Sequence, residues 1–168
     1  FDQIAQGMGG LMSITGAPDE GPMRVGIPIA DLTAGGFAAQ GVLLALLGRE
    51  KTGKGQWVQT SLLQAQIAML DFQAARWLMD GDVPKQAGND HPTSIPTGVF
   101  QTLDGHINIA VAGQHIWLRL KDALADPRLD ADIYHEGTSR STHRKSLNAL
   151  INENTGCDTT DNLIDRLN

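Results

Sequence analysis

The spacing of apolar side chains divides the chain into helical stretches, one pair of strands and Gly/Pro-rich connections. Phe1, Ile4, Met8, Leu11 and Met12 recur at helical spacing and predict a helix from Phe1 to Ile14, weakened by Gly7, Gly9 and Gly10. Thr15 to Pro28 is rich in Gly and Pro and reads as a surface loop. Ile29 to Leu47 is a nearly continuous apolar run with a polar stop at Asp31, which predicts a buried helix with Asp31 as its N-cap. A turn over Gly48 to Gln56, a short strand over Trp57 to Ser61 and a largely apolar helix over Leu62 to Leu78 follow. Past a linker, Thr97–Gln101 and Ile107–Ala112 read as strands joined by Leu103, Asp104 and Gly105, the Asp-Gly pair favouring a tight hairpin. Helices are predicted at Gln114–Leu124, Arg140–Asn152 and Thr160–Leu167. The organisation expected is a large unit over residues 1–80, a linker over 81–96 and a small α/β unit over 97–168.

With 168 residues, 41% of them hydrophobic, the chain can bury a core. A formal charge of -6 with no cluster of Lys or Arg argues against nucleic-acid binding, which draws on grouped cations to meet phosphates. The single cysteine, Cys157, allows no internal disulfide, and no apolar run reaches the roughly 18 residues a membrane span needs. A cytoplasmic protein with no membrane contact is expected. The start at Phe1 has neither a basic segment nor an apolar signal core, and the last residues begin like a capped helix without a terminator, so the chain reads as an excised piece.

Gly48 to Gly55 approaches a phosphate-binding P-loop, but Gly55 stands where a Ser or Thr hydroxyl is needed, and the segment leaves a helix instead of entering one. His91, His106, His115, His135 and His143 never fall at a metal-ligand spacing, so no metal is expected. Cys157 has no neighbouring base to activate it. Asp31 is the candidate nucleophile. Ile27 to Ala30 give it no polar relief before the helix, Ala34, Gly35 and Gly36 leave little bulk on the next turn, and a helix start favours an ionised carboxylate.

Ile4-Ala5-Gln6, Gly10, Thr15-Gly16, Pro28 to Gly35, Thr52 to Gln56, Ser61-Leu62-Leu63 and Gly88 to Pro92 together, in that order and spacing, resemble the middle of the family III CoA-transferases. That group includes formyl-CoA and carnitine CoA-transferases, and the similarity covers most of the chain. The resemblance implies an α/β fold: the later part of a Rossmann-like large domain plus a smaller α/β domain, from a protein whose two copies interlock as rings. It implies a transfer of CoA from an acyl-CoA to a carboxylic acid acceptor, through an aspartyl-CoA thioester on Asp31. Coenzyme A enters as substrate, without a metal.

By the same resemblance Leu62 matches a methionine lining the CoA site, and Gly88, Asn89, Asp90 and His91 form the loop over the active site, which is a run of glycines in formyl-CoA transferase. Phe1 stands where that enzyme has a tyrosine and where the related α-methylacyl-CoA racemases have an acid-base histidine. Phenylalanine exchanges no proton, which leaves the racemase reading without its second acid-base group. Three readings follow from the sequence: a CoA-transferase, a racemase or isomerase on branched acyl-CoA, and a non-catalytic CoA-binding homologue.

Overall fold

The computed structural model describes residues 1–168, which form two units, Phe1–Gly88 and Asn89–Asn168.

The first unit is built from helices joined by irregular segments, with no strand. Gly10, at φ 85°, turns the chain and splits the helix predicted over Phe1–Ile14 into α1 (Asp2–Met8) and α2 (Leu11–Ile14). The apolar run forms α3 (Ile29–Thr52), which continues through Gly48 into the segment expected to be a turn. Arg49 and Lys51 in its last turn complement the negative helix end, and Gly53, at φ 66°, stops it with its N–H on the Arg49 carbonyl at 2.7 Å. The predicted helix over Leu62–Leu78 is two: α4 (Leu62–Ala68), capped by the Ser61 hydroxyl accepting from the Gln64 N–H, and α5 (Phe72–Asp80), which restarts after Asp71 at φ 48°. Trp57 to Ser61 does not become a strand. It runs without regular structure because the unit holds no second strand to share its N–H and C=O groups.

α3 packs on α1 and α4 through a layer of small and polar residues. Ala5, Ala30, Ala34 and Ala65 are buried there with Gln6 and Gln66. Gln66, with its amide nitrogen turned toward the carbonyls of Ala5 and Gly9 (3.0 and 3.2 Å), ties α4 to the end of α1. The expected burial of α3 does not occur within this chain: only Ala30 and Ala34 are buried, while Leu43, Leu44 and Leu47 are more than 60% exposed. Its apolar residues surround the axis, whereas α1 and α4 cover one side of it. Over 18 residues its mean hydropathy is 1.5, so by length and composition alone α3 can cross a membrane. This corrects the expectation that no apolar stretch is long enough, since isolated polar residues such as Gln40 interrupt the run without lowering its average below that of a span. A core helix of a larger soluble protein carries the same signature.

The second unit is built on an antiparallel hairpin, β1 (Thr97–Gln101) with β2 (His106–Ala110), in which Gly98 faces Ile109 and Phe100 faces Ile107. The strands are joined where expected, through residues 102–105 with the Thr102 N–H on the Gly105 carbonyl at 2.9 Å, but neither Asp104 nor Gly105 takes the positive φ of a tight Asp-Gly turn. Helices α6 (Gln114–Leu124), α7 (Gly137–Thr142), α8 (Arg144–Thr155) and α9 (Thr160–Leu167) complete it, with two short 3-10 turns after α6. His143, outside helical geometry, separates α7 from α8 where one helix was predicted. Phe100, Trp117, Leu129, Leu147, Ile151 and Leu163 are fully buried in one cluster. Arg140 stacks on the Trp117 ring at 5.0 Å and satisfies its guanidinium on the carbonyls of Ile95, Tyr134 and His135 and on the Gln114 side chain.

Candidate active site

A helix begins with N–H groups that have no partner inside it. At the start of α3 the N-cap position is Pro28, whose side chain cannot accept a hydrogen bond. The Ile29 N–H turns back to the Ile27 carbonyl at 2.8 Å, and the Leu32 N–H begins the regular ladder on Pro28. The Ala30 N–H is met from another helix: Asp2 Oδ1, at the head of α1, accepts it at 2.9 Å. One turn along α1, Gln6 donates through Nε2 to Asp2 Oδ2 (2.7 Å) and to the Ile27 carbonyl (3.3 Å), and its Oε1 accepts from the Val25 N–H (2.9 Å). The Arg24 guanidinium lies 3.6 Å from Asp2 Oδ2. Two buried polar side chains of α1 thus grip the backbone that leads into α3.

Burial by itself raises the Asp2 carboxyl above its ordinary value. The Ala30 N–H, the Gln6 amide and the charge of Arg24 outweigh that and hold it below the ordinary carboxylate range. The carboxylate is therefore the stable form inside the fold.

Asp31 is the third residue of α3, not its N-cap, which corrects the reading from sequence. Its side chain is exposed, and no protein group donates to it. One turn further on, a Cβ added at Gly35 or Gly36 would meet no atom within 4 Å, so the surface beside the Asp31 carboxylate is open. A reachable carboxylate with unused lone pairs and free space alongside is what attack on an acyl carbon requires.

The other residues singled out from sequence fall in several places. The Phe1 ring is fully exposed, next in the chain to Asp2, whose bond to Ala30 brings the two chain segments carrying Phe1 and Asp31 side by side. Leu62, half-buried, opens α4, the helix packed on α3. Gly88 to His91 straddle the boundary between the units, and each part is held within its own. Gly88, at φ 60°, donates its N–H to the Gly16 carbonyl (2.9 Å). In the second unit Asp90 accepts from the Asn148 amide (3.1 Å), and the N–H groups of Thr93 and Ser94 donate to His91 Nδ1 (3.2 and 3.0 Å). Residues 48–52 of the P-loop-like segment are helical, so their amides are committed to α3 and form no phosphate cradle. A groove of about 690 Å³ beside β2, lined by Ile109, Ile116, Leu120 and Ile164, contains none of the residues predicted for the site.

Sequence reasoning missed Asp2 and Gln6. The available signal was that Asp2, Ala5 and Gln6 share one face of α1, continued by Gly9 at its C-cap, a stripe of small and polar residues where a core-facing stripe is ordinarily apolar.

The family model described as CoA-transferase family III matches residues 1–168. Among curated relatives, succinyl-CoA:mesaconate CoA-transferase of Haloarcula marismortui is 38% identical over 99% of this chain and 42% of its own length. Succinate–glutarate CoA-transferase of Agrobacterium fabrum is 34% identical over 92% of this chain and 39% of its own. The crystal structure of a CAIB/BAIF family protein from Brucella suis superimposes with a TM-score of 0.83 at 32% identity, covering 99% of this chain and 44% of that one. The chain thus spans about two fifths of the length of the relatives it matches.

Proposed function

This chain belongs to CoA-transferase family III, and from that premise we propose that it carries the nucleophile of an acyl-CoA:carboxylate CoA-transferase, namely Asp31. The observation that carries this reading is the Asp31 carboxylate itself: exposed, accepting from no protein donor, and bordered by open space over Gly35 and Gly36.

The Asp31 carboxylate attacks the carbonyl carbon of the donor acyl-CoA. The C–S bond breaks, giving an acyl-aspartyl anhydride and CoA thiolate. The thiolate attacks the aspartyl carbonyl, releases the donor's carboxylate and leaves CoA on Asp31 as a thioester. The acceptor carboxylate then attacks that thioester carbonyl and expels the thiolate, forming a second anhydride. Return of the thiolate to the acceptor's acyl carbon releases the new acyl-CoA and restores the Asp31 carboxylate. One thioester is consumed, one is made, and no net proton is exchanged.

The relatives named for mesaconate and glutarate support dicarboxylic acids as the acceptor class and succinyl-CoA as a donor. The exposed apolar surface of α3 supports a protein of the relatives' full length, with the remaining chain or a second, interlocked copy covering that helix. The test uses the full-length protein with succinyl-CoA and mesaconate or glutarate, quenched in turnover and digested. The Asp31 peptide is expected to carry the mass of CoA, and replacement of Asp31 by Ala to lower turnover at least about a thousandfold. An unmodified peptide together with an active D31A protein rules the mechanism out. Deuterium exchange beside the carbonyl in heavy water is the signature of the racemase reading, and Phe1 supplies no second acid-base group for it.

A further inference from the structure

We infer that Asp2 and Gln6 form a clasp that fixes the first turn of α3 and keeps the Asp31 carboxylate free and aimed, so that Asp2 is a positioning residue of the transfer reaction. The inference rests on Asp31 being the nucleophile. Nothing in the sequence expectations or in the family match assigns Asp2 a part.

A carboxylate on the third residue of a helix ordinarily has an occupation of its own. It reaches back to the N–H of the N-cap residue, the second half of a capping box. Here that partner does not exist, because the N-cap position is Pro28, which has no N–H. Of the next donors along the first turn, the Ile29 N–H is taken by the Ile27 carbonyl at 2.8 Å and the Ala30 N–H by Asp2 Oδ1 at 2.9 Å. Two independent features therefore strip Asp31 of the local bonds that would draw its oxygens back onto the backbone. Stability alone does not call for this arrangement, since a Ser, Thr or Asp at position 28 would cap the helix from solvent. The fold instead buries a carboxylate on a different helix, which is costly unless both oxygens are satisfied. Both are: Ala30 N–H holds one, and Gln6 Nε2, at 2.7 Å, with Arg24 beyond it, holds the other.

The clasp also determines where Asp31 points. Gln6 holds Val25 and Ile27, and Asp2 holds Ala30, so the backbone leading to Asp31 is gripped at three places by one rigid turn of α1. Asp31 follows immediately on the last of them. A shift of about 1 Å in a reacting group is enough to cost up to a hundredfold in rate.

The test is made in the full-length protein with variants D2A, D2N and Q6A, measuring kcat and KM, folded fraction by circular dichroism, and the rate at which CoA mass appears on the Asp31 peptide. D2A is expected to slow thioester formation per folded molecule roughly 10- to 100-fold while KM for the acyl-CoA stays within about twofold. D2N keeps an oxygen for the Ala30 N–H and is expected to recover most of that rate. Q6A, which loosens the clasp without removing the Ala30 bond, is expected to lie between D2N and D2A and carries the test if D2A does not fold. Label appearing at the wild-type rate in D2A and Q6A, or activity falling only in proportion to folded fraction, overturns the clasp and leaves Asp31 untouched. Wild-type protein that turns over with no label on Asp31 overturns the nucleophile and the clasp with it.

Discussion

Residues 89–168 bury Trp117, Phe100, Leu129, Leu147, Ile151 and Leu163 against one another, whereas residues 1–88 bury alanines, Gln6 and Gln66 and leave Leu43, Leu44, Leu47, Trp57 and Leu78 in solvent. The difference is one of self-sufficiency. The second unit hides its large side chains with its own residues, so its hydrophobic free energy is gained within this chain. The first carries the candidate nucleophile, yet the helix that presents Asp31 is apolar on faces nothing here covers. In a chain spanning about two fifths of its relatives' length, the candidate nucleophile stands on the part whose packing is least complete.

Separating the units probes that contrast most severely. Residues 89–168 produced alone are expected to unfold in one cooperative thermal transition, and residues 1–88 alone to bind a hydrophobic dye and melt without one. A cooperative transition in the first piece would abolish the distinction. Within the intact chain, Leu147→Ala removes a fully buried side chain and is expected to cost about 2–5 kcal/mol in chemical denaturation. Leu44→Ala, made on a side chain 68% exposed, is expected to change stability by less than about 0.5 kcal/mol. Equal losses at both positions would mean that α3 is packed after all.

The contrast also explains what could be read in the sequence. In the second unit α6 and α9 have the bounds that periodicity predicts, and the two strands pair as a hairpin, because one apolar face per element meets a core inside the same stretch of chain. In the first unit periodicity had less to work with. α3 is apolar all round, so its pattern names no buried face, and its glycines, which lower helix propensity, do not end it before Gly53. Asp31 was legible as the polar residue at the start of an apolar run, and the family resemblance carried by its neighbours agrees with the match over the whole chain. Its bonding was not. The Asp2–Ala30 bond joins residues 28 apart in sequence, and no local rule exposes such a partner. Hence the sequence pattern places the N-cap at Asp31, whereas the bond that meets the helix start comes from Asp2 of α1.

Two glycines of α3 sharpen the comparison at smaller scale. A Cβ at Gly41 would lie 2.6 Å from Val58 Cγ1, where the segment after α3 crosses the helix. Gly41→Ala is therefore expected to cost about 1–3 kcal/mol through overpacking, despite alanine's better helix propensity. A gain in stability would show that Val58 yields.

Gly35 is the opposite case. It lies in the middle of the same helix, where glycine costs roughly 0.5–1 kcal/mol relative to alanine, and an added Cβ there meets nothing within 4 Å. On helix physics alone Gly35→Ala is expected to stabilise the protein by about that amount. Glycine in such a place needs another reason, and the space it leaves one turn from Asp31 supplies one under the proposed mechanism, in which an acyl-CoA reaching that carboxylate would pass over it. The expected result in the full-length protein is a raised melting temperature together with a lower kcat/KM for acyl-CoA. Raised stability with unchanged kcat/KM would show that the opening beside Asp31 is not the route the substrate takes.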